Sequence, residues 1–253
     1  MRQELARIER EFRVKVLLAV ESGSRAWGFA SPDSDYDVRF VYVHERDWYL
    51  SIYEQRDVIE AMLPGDLDVS GWELRKALRL FAKCNLALNE WLLSPETYSE
   101  VPAFREELGR SIPHFFNAIS GIHHYRSTAE AAFNDNFADG RIKIKKLFYV
   151  LRPLLACRWI EESGSQPPTE FGKLVAADWI TEDERRWIAE LLRQKSESRE
   201  AEPIALDARR ASSIRMELDR FSRPTDLVPP PTKQPSDALD RILRKWIVPF
   251  GKE

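Results

Sequence analysis

VKVLLAVESGSRAWGFASPDSDYDVRFVYV, residues 14 to 43, is the stretch on which the fold turns. Val14 to Val20 is a short apolar run rich in β-branched residues, and it predicts a buried strand. The run ends in Glu21-Ser22-Gly23-Ser24, where the chain must turn, and residues 25 to 29 suit one or two helical turns. Ser31-Pro32-Asp33-Ser34 is loop chemistry, with Asp33 fitted to an Asx turn. Tyr36 to Val43 alternates and is full of β formers, so it predicts a second strand. Asp35 and Asp37 stand two apart in that stretch, which puts both side chains on one face. Arg39, two further on, shares that face and is placed to pair with an Asp or to meet a ligand.

Outward from this stretch, residues 3 to 12 carry Leu5, Ile8 and Phe12 at helical spacing. Asp57 to Met62 and Leu67 to Ser70 read as two more strands around the turn signal Leu63-Pro64-Gly65-Asp66. From Trp72 the pattern becomes helical, and it stays so through 86–93, 103–133, 141–162, 181–197, 203–221 and 237–248. Pro224 to Pro235 holds five prolines and reads as an extended arm. The expected organisation is an α/β domain over residues 1–100 and a helical domain over 101–253. Net charge is −3, so any polyanion site is a local patch and not a global basic field. Cys84 and Cys157 sit in apolar segments and read as buried thiols, which suits a reducing compartment. The charged start MRQELARIEREF is no secretory signal, and no apolar run nears the roughly 20 residues that span a bilayer. The expected location is the cytoplasm.

Two ionised carboxylates side by side repel, and burying them unpaired costs several kcal/mol. A divalent cation removes that cost, and Mg²⁺ is commonly held by one or two carboxylates plus substrate phosphates. Gly23 lets the backbone approach a phosphate. Ser24 offers a hydroxyl, and the amides after it form an anion nest. Arg25, next in line, is placed to reach a triphosphate. A phosphate cradle beside metal-binding carboxylates is what nucleotidyl transfer requires.

An apolar strand, Gly-Ser, ten residues and then Asp-x-Asp in a strand resembles the DNA polymerase beta superfamily of nucleotidyltransferases. The longer string GSRAWGFASPDSDYDVRFVY (23–42) is similar to the RNA repair pathway DNA polymerase beta-like family. So are GDLDVSGWELRKAL (65–78), NEWLLSPETY (89–98) and KKLFYVLRPLLACRW (145–159). The resemblance implies an α+β fold, a small mixed twisted sheet with flanking helices, followed by a mostly helical half. It implies one or two Mg²⁺ ions held by Asp35 and Asp37, and a nucleoside triphosphate as substrate. It also implies a third carboxylate that assists the attacking hydroxyl or joins the metal site. Asp68 has the required apolar neighbours, with Asp66 and Glu73 as competitors. Superfamily members use a downstream Lys or Tyr against the nucleotide. Lys145 or Lys146, with Tyr149 and Arg152 along one predicted helix face, are the candidates. His123-His124-Tyr125 reads as structural or substrate-contacting, and Glu90-Trp91 as packing, with Glu90 placed to bond a basic neighbour. The family name implies an RNA end, such as a broken tRNA, as acceptor. Other branches modify proteins or small molecules. A non-catalytic nucleotide binder and an antitoxin-like partner are the alternatives from other classes.

Overall fold

The computed structural model describes residues 1–31, 34–63, 67–197, 203–228 and 237–247. Asp33, Asp66 and residues 229–235 of the proline-rich stretch fall outside the described residues. Two compact units share the chain: residues 1–115 with 232–253, and residues 116–231.

In the first unit, α1 (Arg2–Phe12) buries Leu5 and Ile8, one turn apart, and carries Glu4 in its first turn and Arg10 in its last, as the helix dipole favours. Next come β1 (Val14–Ser22), α2 (Gly23–Trp27), β2 (Tyr36–His44), α3 (Arg46–Tyr49), β3 (Val58–Leu63) and β4 (Leu67–Glu73). Then follow α4 (Leu74–Ala82), α5 (Leu86–Leu92), β5 (Thr97–Glu100) and α6 (Pro102–Phe115). The strands form one mixed sheet in the order β3-β4-β2-β1-β5. Only β2 and β4 run parallel; the other neighbours are antiparallel. The expected mixed sheet with flanking helices is therefore present.

One sheet face packs under α1, where Leu5 and Ile8 meet Val16, Ala19, Val38, Phe40, Tyr42 and Val69. Period-two alternation sends Asp37, Arg39 and Val41 to the other face. That face is met by helices: Trp72 of β4 lies 4.1 Å from Trp91 of α5. Gly71 of β4 pairs with Phe40 of β2. A Cβ at Gly71 would fall 2.2 Å from the Phe40 ring, which is fully buried. Gly71→Ala is expected to destabilise the protein by about 1–3 kcal/mol through overpacking, a loss readable as a fall in melting temperature. An unchanged melting temperature would contradict this packing.

His44, at the end of the α1-facing row, stacks on Trp48 at 4.2 Å. Burial lowers its pKa from 6.5 to about 4. The folded state therefore resists a proton that the unfolded chain takes up below about pH 6.5. Stability is lost as pH falls from 6.5 towards 4, by up to about 3 kcal/mol. His44→Phe keeps an aromatic ring and removes the titration. Urea midpoints of wild type and variant should diverge between pH 7 and 4.5, with the wild type losing more; parallel curves would refute it.

The second unit contains α7 (Ala118–Asn136), β6 (Arg141–Lys143), α8 (Ile144–Ser163), α9 (Phe171–Val175), α10 (Glu182–Glu197), β7 (Pro203–Ala205) and α11 (Ala208–Arg220). The described start of the proline-rich stretch is a 3-10 turn, Pro224–Asp226. The chain then returns to the first unit as α12 (Ala238–Trp246). There Trp246 meets Phe104 edge-on at 5.5 Å and donates to Glu107 at 2.9 Å.

Several elements differ from the sequence reading. Trp72 and Glu73 end a strand instead of opening a helix. The helical stretch 103–133 is two helices, the second capped by Asn117, whose Oδ1 accepts the Ser120 N–H at 3.0 Å. Residues 141–143 and 203–205 pair as a two-stranded ribbon, not as helix starts. Ile142 is buried between exposed neighbours there, so the three-residue alternation belongs to a strand. The strand β5 had no counterpart in that reading. Cys84 and Cys157 are both buried thiols. Among the described residues, no helix is long and apolar enough to cross a membrane.

Candidate active site

At Gly23, φ is +67°, and β1 leaves the sheet there to start α2. The last rung of the β1–β2 ladder is Ser22 opposite Asp37. A Cβ on Gly23 would fall 2.5 Å from Asp37 Oδ2. The turn backbone and the carboxylate are thus in near contact, and a side chain at Gly23 would stand between them. Ser24, the next residue, is buried.

Asp37 also lies opposite Asp68 on the parallel neighbour β4. Neighbouring strands are about 4.8 Å apart, so the two acids sit side by side on one face. Asp35 is exposed and lies one residue before β2, not within it as the alternation predicted. Arg25 ties this approach down. Its guanidinium donates to the main-chain oxygens of Ser34 (2.6 Å) and Asp35 (3.1 Å) and stacks 3.8 Å above the Tyr36 ring.

Arg39 joins the acids. Its Nη2 lies 2.7 Å from Asp68 Oδ2 and 3.5 Å from Asp37 Oδ1. Its Nη1 donates to the carbonyls of Val38 (3.1 Å) and Asp68 (3.2 Å). Among the described residues, no three His, Cys, Asp or Glu side chains converge as a ready metal cluster. The donors of Asp35, Asp37 and Asp68 are nonetheless all hard carboxylate oxygens, which fit Mg²⁺. The guanidinium between Asp37 and Asp68 is a built-in cation at the place where that pair calls for positive charge.

The other predicted residues lie in the second unit, on α8. Lys145 and Tyr149 are half-buried, and Lys146 is exposed with its Nζ 5.7 Å from the Tyr149 ring. Arg152 does not share their exposure. It is 3% exposed and donates to the Thr169 carbonyl at 3.1 Å. The reason is that α8 is a central helix, with Leu147, Phe148, Val150, Leu151 and Leu154 buried around it. His123 and His124 are exposed on α7, and Tyr125 is buried. In the first unit, Glu90 accepts from the Trp27 indole at 3.4 Å.

Residues 1–245 match the RNA repair pathway DNA polymerase beta family. The chain belongs to that family. A similar protein, named "Uncharacterized protein YcgL", comes from Bacillus subtilis (strain 168). It is 43% identical over 253 residues, covering 99% of this chain and 96% of that protein. A nucleotidyltransferase-like protein from Exiguobacterium sibiricum 255-15, solved by crystallography, aligns over 97% of this chain and 79% of its own at 12% identity and a TM-score of 0.32. That likeness is too distant to carry an argument. Membership of the polymerase beta family points to nucleotidyltransferase chemistry.

In this polymerase beta family member one buried acid, Glu21, adjoins the site, and sequence reasoning gave it no role; a second, Glu73, lies away from it. Glu21 is 1% exposed. Its Oε1 accepts the Asp37 N–H at 2.9 Å, and its Oε2 accepts the Tyr98 hydroxyl. Burial lifts the Glu21 carboxyl above its ordinary range, against the hydrogen bonds from Tyr98 and Asp37 that pull it down. The available signal was a glutamate directly continuing an apolar strand run. Glu73 is also 1% exposed, but it caps α4, accepting the N–H groups of Arg75 (2.7 Å) and Lys76 (3.0 Å) and the Tyr49 hydroxyl. It stands five residues along β4 from Asp68, about 16 Å away.

Proposed function

We propose that this chain is a magnesium-dependent nucleotidyltransferase that moves a nucleoside monophosphate from a nucleoside triphosphate to a hydroxyl acceptor, an RNA 3′ end. The observation that supports this most is the near contact of the Gly23 backbone with the Asp37 carboxylate. It joins the phosphate-approach turn to the acidic pair, with Asp68 in register beside them.

In this reading Asp35 and Asp37 hold one or two Mg²⁺ ions, with Asp68 in reach of the same site. Bound there, the metal supplies positive charge for the attacking and leaving oxygens. Ser24 and the amides after Gly23 receive the β- and γ-phosphates. Arg25 holds the Asp35 approach by its carbonyl bonds, so its contribution to nucleotide binding runs through that loop. Asp68 takes the proton from the acceptor hydroxyl. The freed oxygen bonds to the α-phosphorus while the bond to pyrophosphate breaks in line. Arg39 keeps Asp68 and Asp37 oriented. For the second unit, charge and family resemblance support nucleotide contact by Lys145, Lys146 and Tyr149. The RNA acceptor and the cytoplasmic setting rest on the family name and composition.

The test offers purified protein, Mg²⁺ and each α-³²P-labelled nucleoside triphosphate a pool of RNAs, including tRNA and nicked tRNA. Label on RNA, lost in the Asp35→Ala/Asp37→Ala variant, is the expected result. Label on protein alone would move the acceptor to a protein hydroxyl. Triphosphate binding with no transfer to any acceptor would overturn the enzymatic reading.

A further inference from the structure

Glu21 meets the Asp37 main chain from the α1 side of the sheet, opposite the face to which the Asp37 carboxylate projects. Asp37 and Arg39 project to the face met by the helices after β4. Glu21 pairs across the ladder with Val38, whose side chain belongs to the α1 face. Tyr98, on the edge strand β5, packs against the same α1-facing cluster. The contacts then run across three neighbouring strands: the Tyr98 hydroxyl to Glu21 Oε2, and Glu21 Oε1 to the Asp37 N–H at 2.9 Å.

The main chain of Glu21 is fixed as tightly. Its N–H donates to the Glu96 carbonyl at 2.9 Å, and its own carbonyl accepts the Ser94 hydroxyl at 2.7 Å. The location matters because β1 turns away at Gly23. The ladder has no rung beyond Ser22 and Asp37. Strand ends fray, and at this end the Glu21 side chain takes the Asp37 N–H. At 1% exposure Glu21 itself is closed to any dissolved ligand.

We propose that Glu21 is a positioning residue for cation binding at Asp37: it clamps the Asp37 peptide from behind the sheet and so fixes where the Asp37 carboxylate points. This rests on the reading of Asp35 and Asp37 as cation ligands. The work is done by the hydrogen bond and not by charge. A glutamine at position 21 keeps an oxygen for the Asp37 N–H and an amide for the Tyr98 oxygen, whereas alanine keeps neither.

The experiment titrates the full chain with Mn²⁺ and follows free Mn²⁺ by electron paramagnetic resonance, at a temperature where circular dichroism shows every variant folded. Glu21→Ala is expected to weaken Mn²⁺ binding about 10- to 100-fold, the range found when a residue supporting a metal ligand is lost. Glu21→Gln should stay within about threefold of wild type. A role confined to folding would lower the melting temperature of Glu21→Ala and leave Mn²⁺ affinity unchanged, and that result would overturn the proposal. Equal losses in the Ala and Gln variants would overturn it too, by showing that charge is what acts. Should Glu21→Ala not fold, Tyr98→Phe carries the test. It keeps Glu21 but removes one tether, and a loss of about threefold or more is expected; unchanged affinity overturns the clamp. The Asp35→Ala/Asp37→Ala variant separates the two levels. If it binds no Mn²⁺ while Glu21→Ala binds like wild type, only the clamp falls. If it binds like wild type, the reading of the site falls and the clamp with it.

Discussion

Replacing Asp35 and Asp37 together by alanine is expected to cut labelled-nucleotide transfer by about a thousandfold or more while leaving the fold intact. The magnitude follows from the several kcal/mol that a metal ion contributes to charge stabilisation, at about 1.4 kcal/mol per factor of ten. The fold should survive because neither acid is a core group. Asp35 is exposed before β2, and Arg39 retains Asp68 at 2.7 Å when Asp37 is gone. Transfer rate and melting temperature measured on one preparation decide the matter. Transfer at wild-type rate would remove these acids from the chemistry. Loss of transfer together with loss of the native circular dichroism spectrum would show them to be structural.

Gly23→Ala is the second large effect. Two costs coincide at this residue. Its φ of +67° is one that alanine adopts only with strain of about 1–2 kcal/mol. The added methyl would also lie 2.5 Å from Asp37 Oδ2, so the carboxylate must swing away. A displacement of about 1 Å at reacting groups costs on the order of a hundredfold in rate. The expected outcome is a modest fall in melting temperature and a fall of about a hundredfold in transfer. Gly28→Ala is the control, because its φ is +85° but a Cβ there meets nothing within 4 Å. It should share the strain and keep the activity. Equal activity losses in both variants would mean that strain, not contact with Asp37, is what matters at Gly23.

The parts of the fold legible in the sequence were those with long, regular patterns. The run Val14 to Val20 and the alternation Tyr36 to Val43 became β1 and β2, and their pairing brings Gly23 to Asp37. Short elements were lost because their formation depends on partners far along the chain. Thr97–Glu100 is a strand because β1 offers an edge, and Arg141–Lys143 is one because Pro203–Ala205 comes alongside. Glu73 shows the same limit at a single residue. Trp72-Glu73-Leu74 satisfies a helical pattern, yet Glu73 ends a strand and caps the helix that follows. Arg152 was misplaced because helical spacing tells which residues share a stripe, and not how far a neighbour covers that stripe. Glu21 escaped attention because a charged residue at a strand end usually meets water, and only the structure reveals the Tyr98 hydroxyl over it.

The return of α12 to the first unit sets an order of events during synthesis. Residues 1–115 leave the ribosome first, but the helix that carries Lys245 and Trp246 to Glu107 emerges only after all of residues 116–231. The second unit has its whole sequence available before the first does. A nascent chain halted between residues 116 and 237 holds Asp35, Asp37 and Asp68 and lacks the clasp on α6. Quality control acting on such intermediates would meet the first unit with Phe104 stripped of its Trp246 neighbour.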